Sequence, residues 1–199
     1  ASDWSSDVCF SDLYARLYWS ALKVGATADK NVALDWKGGP IQTVNADDSW
    51  SMSYGFASHP DWYYYQSSAD VTDYVAKWGS GDFRVTGVEA LPLVGVEVDR
   101  AFSAWSMVVF YEKLGDELRN LALFDGFTSI DPGIAGQEKA EVTLSGFLVP
   151  TGFTAKMTAF TYEGDTVYTG DFFTFNGTKL ADTENPLDNF FNSSRSYLG

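Results

Sequence analysis

An all-β chain, folded as an antiparallel, jelly-roll-like β-sandwich with one short helix near residues 70–78, is the architecture the sequence predicts. Three observations carry that reading. Over residues 49–56 the bulky Trp50, Met52, Tyr54 and Phe56 alternate with Ser49, Ser51, Ser53 and Gly55, the period-2 pattern of a strand with one large apolar face and one small polar face. Short apolar runs recur throughout, separated by Gly, Pro, Asn and Asp, with no helical pattern of ten or more residues between them, which excludes a βαβ sheet. The composition, 17% aromatic with 18 Gly, favours packed strands joined by tight turns.

Taken in order, residues 14–24 read as a strand entering the core, with Leu17 and Trp19 on one face. Residues 32–36 and 41–44 are short strands on either side of the turn at Gly38, Gly39 and Pro40. After the alternating segment comes Trp62-Tyr63-Tyr64-Tyr65, aromatic and extended. Val71, Tyr74, Val75 and Trp78 then fall at i, i+3, i+4 and i+7, the one helical period in the chain. Asp70 is placed to cap that helix, Asp73 to complete the capping arrangement, and Gly79 to stop it. Residues 83–88 and 105–112 return to strands; the continuous apolar stretch of the second predicts a central strand covered on both faces, with residues 118–124 pairing beside it. Further strands are expected at 141–149, 153–162, 167–168 and 172–175, and Asn176-Gly177 is a type I′ hairpin signal before Leu180. The total expected is ten or more short strands.

At 199 residues the chain can bury roughly 70% of its unfolded surface and so support one large core. Residues 3–13 resemble the translation of a common short-read sequencing adapter, with Phe10 where that translation has Ser. Residues 1–13 are therefore set aside as a non-native segment of a metagenomic assembly, and residues 14–199 are read as a single β-sandwich domain, truncated at its ends. The only cysteine, Cys9, lies in the excluded segment, so neither disulfide nor thiol chemistry is expected of the rest. A formal charge of −14 argues against unaided contact with nucleic acid or an anionic membrane surface. No run of 18 apolar residues is present, so no membrane insertion is expected within this chain.

Several segments carry a family resemblance: residues 15–20 (Ala-Arg-Leu-Tyr-Trp-Ser), residues 69–75 followed by 81–87, residues 105–112, residues 118–127, and residues 189–194 (Asn-Phe-Phe-Asn-Ser-Ser). In order and spacing they resemble an uncharacterised β-rich domain family of large bacterial surface and secreted proteins, often found beside repeated immunoglobulin-like modules. The resemblance implies an extracellular or cell-surface location and neighbouring domains as partners. It implies no catalytic residues. Arg16, Asp70, Asp73, Arg119, Asn120, Asp125, Asn189 and Asn192 are the polar positions inside the matching motifs, and turn, cap or ion-pair duty accounts for them.

Catalysis finds little support. The single histidine, His59, sits in a loop before Pro60, with no nucleophile-elbow pattern near Ser58 or Ser103, and a zinc site of nitrogen and sulfur ligands cannot be assembled. Calcium is the metal the sequence allows, with oxygen ligands grouped at Asn45, Asp47 and Asp48 and at Glu163, Asp165 and Asp171. A glycosidase needs two carboxyl groups across a cleft, and nothing marks one pair among the 27 acidic residues. Ligand binding is expected at Trp62, Tyr63, Tyr64 and Tyr65, because consecutive residues of an extended segment cannot all enter one core, and exposed rings stack on sugars or anchor peptides. An amide link from Lys23, Lys113 or Lys156 to Asn120 or Asp125 is a further means of stabilising a cysteine-free chain. Asn176-Gly-Thr178 and Asn192-Ser-Ser194 match the glycosylation pattern but read as turns. The functional expectation is a non-catalytic structural or adhesion module of an extracellular bacterial protein, the alternative being a carbohydrate-binding or glycan-hydrolysing domain with a glycan or protein ligand.

Overall fold

A computed structural model describes residues 14–92, 100–117, 119–146, 151–152 and 154–194. The protein is a mostly antiparallel all-β fold of three sheets with one short helix, β-sandwich-like in its larger part. Two compact units are present, one holding the described residues of 14–92 and 103–152 and the other residues 100–102 and 154–194.

In the larger unit, β1 (Tyr14–Val24), β4 (Asp48–Ser53), β5 (Trp62–Asp70) and β7 (Ser103–Phe110) form a four-stranded sheet in the order β4-β5-β1-β7. A second sheet has the order β3-β2-β6, from β2 (Asn31–Trp36), β3 (Gln42–Asn45) and β6 (Phe83–Thr86). Register decides which side chains meet. Leu17 pairs with Ala69 and Met107, and Trp19 with Ser67 and Trp105, so Ala15, Leu17, Trp19, Ala21, Tyr65 and Ala69 share one face of the large sheet. Val32, Leu34 and Val44 of the small sheet join them in one buried cluster with Val71, Tyr74 and Val75. Each fully buried large side chain in this layer, such as Leu17, Leu34 or Tyr65, contributes about 1.5–3 kcal/mol of transfer free energy. As predicted, Leu17 and Trp19 lie together, and Tyr18, Ser20 and Leu22 on the other face of β1 are buried too.

The helix α1 (Thr72–Trp78) turns its Tyr74 and Val75 into that core. Asp70 Oδ1 accepts from the Thr72 N–H at 2.8 Å, one residue before the formal cap Val71, while Asp73 contributes only its charge to the first turn. Gly79 ends the helix at φ 66°, its N–H donating to the Val75 carbonyl at 2.8 Å.

Alternation in the 49–56 segment holds as far as Ser53, with Tyr54 buried just beyond; Gly55, at φ 86°, then breaks the strand, and Phe56 returns to pack 4.8 Å from the Tyr54 ring. The segment read as a central strand is instead an edge. Among the described residues β7 pairs only with β1, and Trp105 is 40% exposed. A short apolar run does not distinguish full cover from half cover. Nor do residues 119–124 pair beside it: that stretch holds no strand, and the adjoining Asp125 and Gly126 are held through side-chain contacts instead, Asp125 to Tyr18 and the Gly126 carbonyl to Gln66. The polar groups on the outer face of the sheet need partners once covered, and this segment supplies them. Residues 141–146, 154–162 and 167–168 likewise hold no strand, while Leu118, residues 147–150 and Phe153 lie outside the described residues.

The smaller unit contains the hairpin β8 (Phe173–Phe175) and β9 (Thr178–Leu180). Asn176 and Gly177 adopt φ 48° and 77°, the doubly left-handed turn their sequence predicts. Phe173 packs on Phe190 and Phe191, and the Asp171 Oδ1 accepts from the Phe191 N–H at 2.8 Å.

Candidate functional site

One hollow, about 490 Å³, opens over the outer face of the four-stranded sheet and is lined by Tyr14, Arg16, Asp48, Phe110, Leu123 and Asp125. The Arg16 guanidinium occupies its floor. Nη2 donates to Asp48 Oδ2 at 2.7 Å and to Ser68 Oγ at 2.8 Å, Nη1 lies 3.5 Å from Asp47 Oδ2, and Nε lies 3.4 Å from Asp125 Oδ2. Burial opposes the charge on Arg16, but contacts with Tyr14, Tyr18 and Asp125 outweigh it and raise its pKa. Tyr18 donates to Asp125 Oδ2 at 3.0 Å; burial, then that hydrogen bond and the carboxylate's charge, push the phenol well above its ordinary range.

Two of the carboxylates in the first predicted calcium group are thus turned to a cation the protein already contains. Asp47 Oδ2 also accepts from the Asp70 N–H at 2.7 Å, and Asn45 lies exposed at the end of β3. In the smaller unit, Asp171 serves the Phe191 N–H and Glu163 sits at φ 61°. Among the described residues, no group of three or more His, Cys, Asp or Glu side chains is placed to hold a metal ion.

The predicted aromatic segment divides between the two faces of β5. Tyr65 is fully buried, its Oη donating to the Glu89 carbonyl at 2.9 Å; burial, then the charges of Asp29 and Glu89, raise its pKa. Tyr63 shares that face and is half-buried. Trp62 and Tyr64 are half-buried on the opposite face, in a continuous aromatic ledge. His59 stacks on Trp62 at 3.6 Å and 12°, and Tyr54 packs against Trp62 at 5.5 Å and Tyr64 at 5.7 Å. The loop histidine therefore extends a ring surface. Lys23, one of the three lysines offered for an amide link to Asn120 or Asp125, meets Glu89 Oε2 at 2.5 Å.

Sequence reading passed over the second hollow. About 330 Å³ in volume, it lies between the β2–β3 turn and the helix and is lined by Pro40, Ile41, Gln42, Tyr74, Lys77 and Trp78. Trp78 stacks on Trp36 at 5.5 Å and 21°, Lys77 Nζ sits 5.0 Å over the Trp78 ring, and Lys37 Nζ sits 4.4 Å over the Trp36 ring. The Trp36 indole donates to the Ser80 carbonyl at 3.2 Å and lies so close to Gly81 that no β-carbon fits there. The sequence did hold a signal, the mirrored pairs Trp36-Lys37 and Lys77-Trp78, but only folding places them side by side.

No helix among the described residues is long and apolar enough to cross a membrane. Comparison with protein-family models, curated proteins and solved structures finds no match for the chain.

Proposed function

We propose that the chain is a non-catalytic structural or adhesion module of an extracellular bacterial protein, working beside neighbouring domains. The observation that carries this reading is the internal charge balance of the larger hollow. Asp48 and Asp125, the carboxylates lining it, both turn Oδ2 to Arg16. A glycosidase pair requires instead two carboxyl groups facing each other across open space, one giving a proton and the other attacking or activating water. Here the ionic groups tie β1, the β3–β4 turn and the 119–126 segment together, which is the work of a scaffold. The order and spacing of the segments that resemble surface-protein domains support the same class.

The aromatic ledge favours a second reading, carbohydrate binding, because Trp62, Tyr64 and His59 offer a contiguous half-buried ring surface of the kind that stacks on sugars. One experiment addresses both. The purified chain is incubated with a panel of chromogenic glycosides and polysaccharides, and both turnover and retention are measured. The expected result is no turnover above buffer; turnover that Asp48→Asn or Asp125→Asn abolishes overturns the non-catalytic reading. Retention on a polysaccharide that Trp62→Ala abolishes makes the module a glycan adhesin; retention on none leaves the scaffold role.

A further inference from the structure

We propose that the hollow between the β2–β3 turn and the helix binds a single carboxylated sugar residue, of the hexuronate type. The site uses none of the residues of the aromatic ledge, and it stands whether or not that ledge binds anything. Four features specify the ligand. First, size: about 330 Å³ is near the lower end of the roughly 300–1,000 Å³ of small-molecule sites, which fits one sugar ring better than an extended chain.

Second, charge. In a chain of net charge −14, Lys77 is a cation at the mouth of a hollow, and among the described residues it has no carboxylate partner. Its ammonium rests over the Trp78 ring. Asp73, four residues earlier on the same helix, makes no ion pair with it, and Asp35 on β2 is taken up by Arg84 at 2.8 Å and the Gly38 N–H at 2.9 Å. Because the Debye length is about 8 Å in physiological salt, the local lysine outweighs the distant negative charge for a ligand inside the hollow. Lys37, over Trp36 and outside the lining, adds a weaker field of the same sign.

Third, the walls. Pro40, the 66% exposed Ile41 and the Trp78 indole are apolar, suited to the C–H face of a sugar ring, and Gln42 supplies an amide that both donates to and accepts from hydroxyls. Fourth, rigidity. Trp78 is held by the stack on Trp36, itself wedged over Gly81, so the wall is formed before the ligand arrives and little ordering is required on binding. Lys77 is the movable part: swinging from the indole to the ligand carboxylate exchanges a cation–π contact for an ion pair and uncovers the ring face.

The test is titration with digalacturonate and with its neutral counterpart digalactose, followed by tryptophan fluorescence at low and moderate salt. Digalacturonate is expected to give a saturable change that weakens as salt rises, and digalactose none within the same range. Lys77→Gln, checked for an unchanged circular dichroism spectrum, is expected to weaken binding at least tenfold, Lys37→Gln by less than threefold, and Trp62→Ala not at all. Equal response to the acidic and neutral sugars, no saturable response to either, or an undiminished response in Lys77→Gln overturns the proposal. Should Lys77→Gln misfold, Gln42→Ala and Ile41→Ser take its place, and unchanged affinity in both overturns it equally.

Discussion

Replacing Arg16 by methionine removes a guanidinium and keeps most of its stem, so the loss reports the charge contacts. The Arg16 side chain is 11% exposed, against 52% for Asp47, 58% for Asp48 and 35% for Asp125. Solvent screens the first two pairings, each contributing about 0–1 kcal/mol. The better-covered side, Asp125 together with the hydrogen bond to Ser68 Oγ, is expected to supply about 1–2 kcal/mol, the lower part of the range for charged hydrogen bonds. Arg16→Met should therefore destabilise by about 1–4 kcal/mol, a fall in Tm on the order of 10 °C for a chain of this size. Urea unfolding at two salt concentrations measures it, and double-mutant cycles apportion it: coupling with Asp125→Asn should exceed that with Asp48→Asn, and only the latter should fade with salt. A variant within about 0.5 kcal/mol of the wild type, the usual span of surface substitutions, would refute the network as a structural element, as would a cycle that ranks Asp48 above Asp125.

Two further outcomes rest on the same contacts. Tyr18, Tyr65 and Tyr74 are buried, and burial raises the pKa of each, with Asp125, then Asp29 and Glu89, then Asp35 adding to it. The folded state thus holds three phenolic protons that the unfolded chain releases near pH ~10. That contribution is intact below the unfolded value and is lost as pH climbs toward the folded one, at about 1.4 kcal/mol per pH unit per phenol. Stability should therefore drop above pH ~10, with part of the tyrosinate absorbance appearing only on unfolding; a smooth, fully non-cooperative tyrosine titration would contradict the burial. For calcium, the turning of Asp47 and Asp48 to Arg16 predicts that neither added Ca2+ nor EDTA shifts the wild-type Tm, whereas Ca2+ stabilises Arg16→Met by exposing the carboxylates to a replacement cation. A calcium-dependent rise in the wild type would return Asn45, Asp47 and Asp48 to the role of ligands.

Local pattern was readable where one rule sufficed. The inward pair Leu17 and Trp19, the helix marked by Val71, Tyr74 and Val75, and the turn at Asn176-Gly177 each depend on residues within a few positions of one another. What resisted reading depends on register. The apolar run 105–110 describes the edge strand β7 as well as it describes a central one, because only the sheet order says which neighbours exist. The aromatic run 62–65 does alternate, but which rings turn to the core side is set by pairing: Tyr65, fully buried, faces Ala21 and the half-buried Tyr63 faces Lys23, which leaves Trp62 and Tyr64 for the ledge. Both hollows are built across long sequence separations, Tyr18 reaching Asp125 and Trp36 reaching Trp78. No short motif could announce either.

Register also explains why a charged network belongs on this sheet. Along β1 the odd positions Ala15, Leu17, Trp19 and Ala21 enter the core, while Arg16 and Tyr18 face the other way. A slip of one residue would send every side chain to the opposite face, driving the guanidinium of Arg16 into the layer of Leu34, Val44 and Val75 and turning Trp19 outward. Leaving Arg16 there without Asp48, Asp125 or Ser68 would cost several kcal/mol, more than any apolar pairing along the same strand could restore. The alternating pattern alone selects a face; the carboxylates waiting on one side, on the β3–β4 turn and at Asp125, make the wrong face unfavourable. In β1 the same residues that balance the hollow's charge thus fix the strand's register, so Arg16→Met should loosen the pairing of β1 as well as lower its stability.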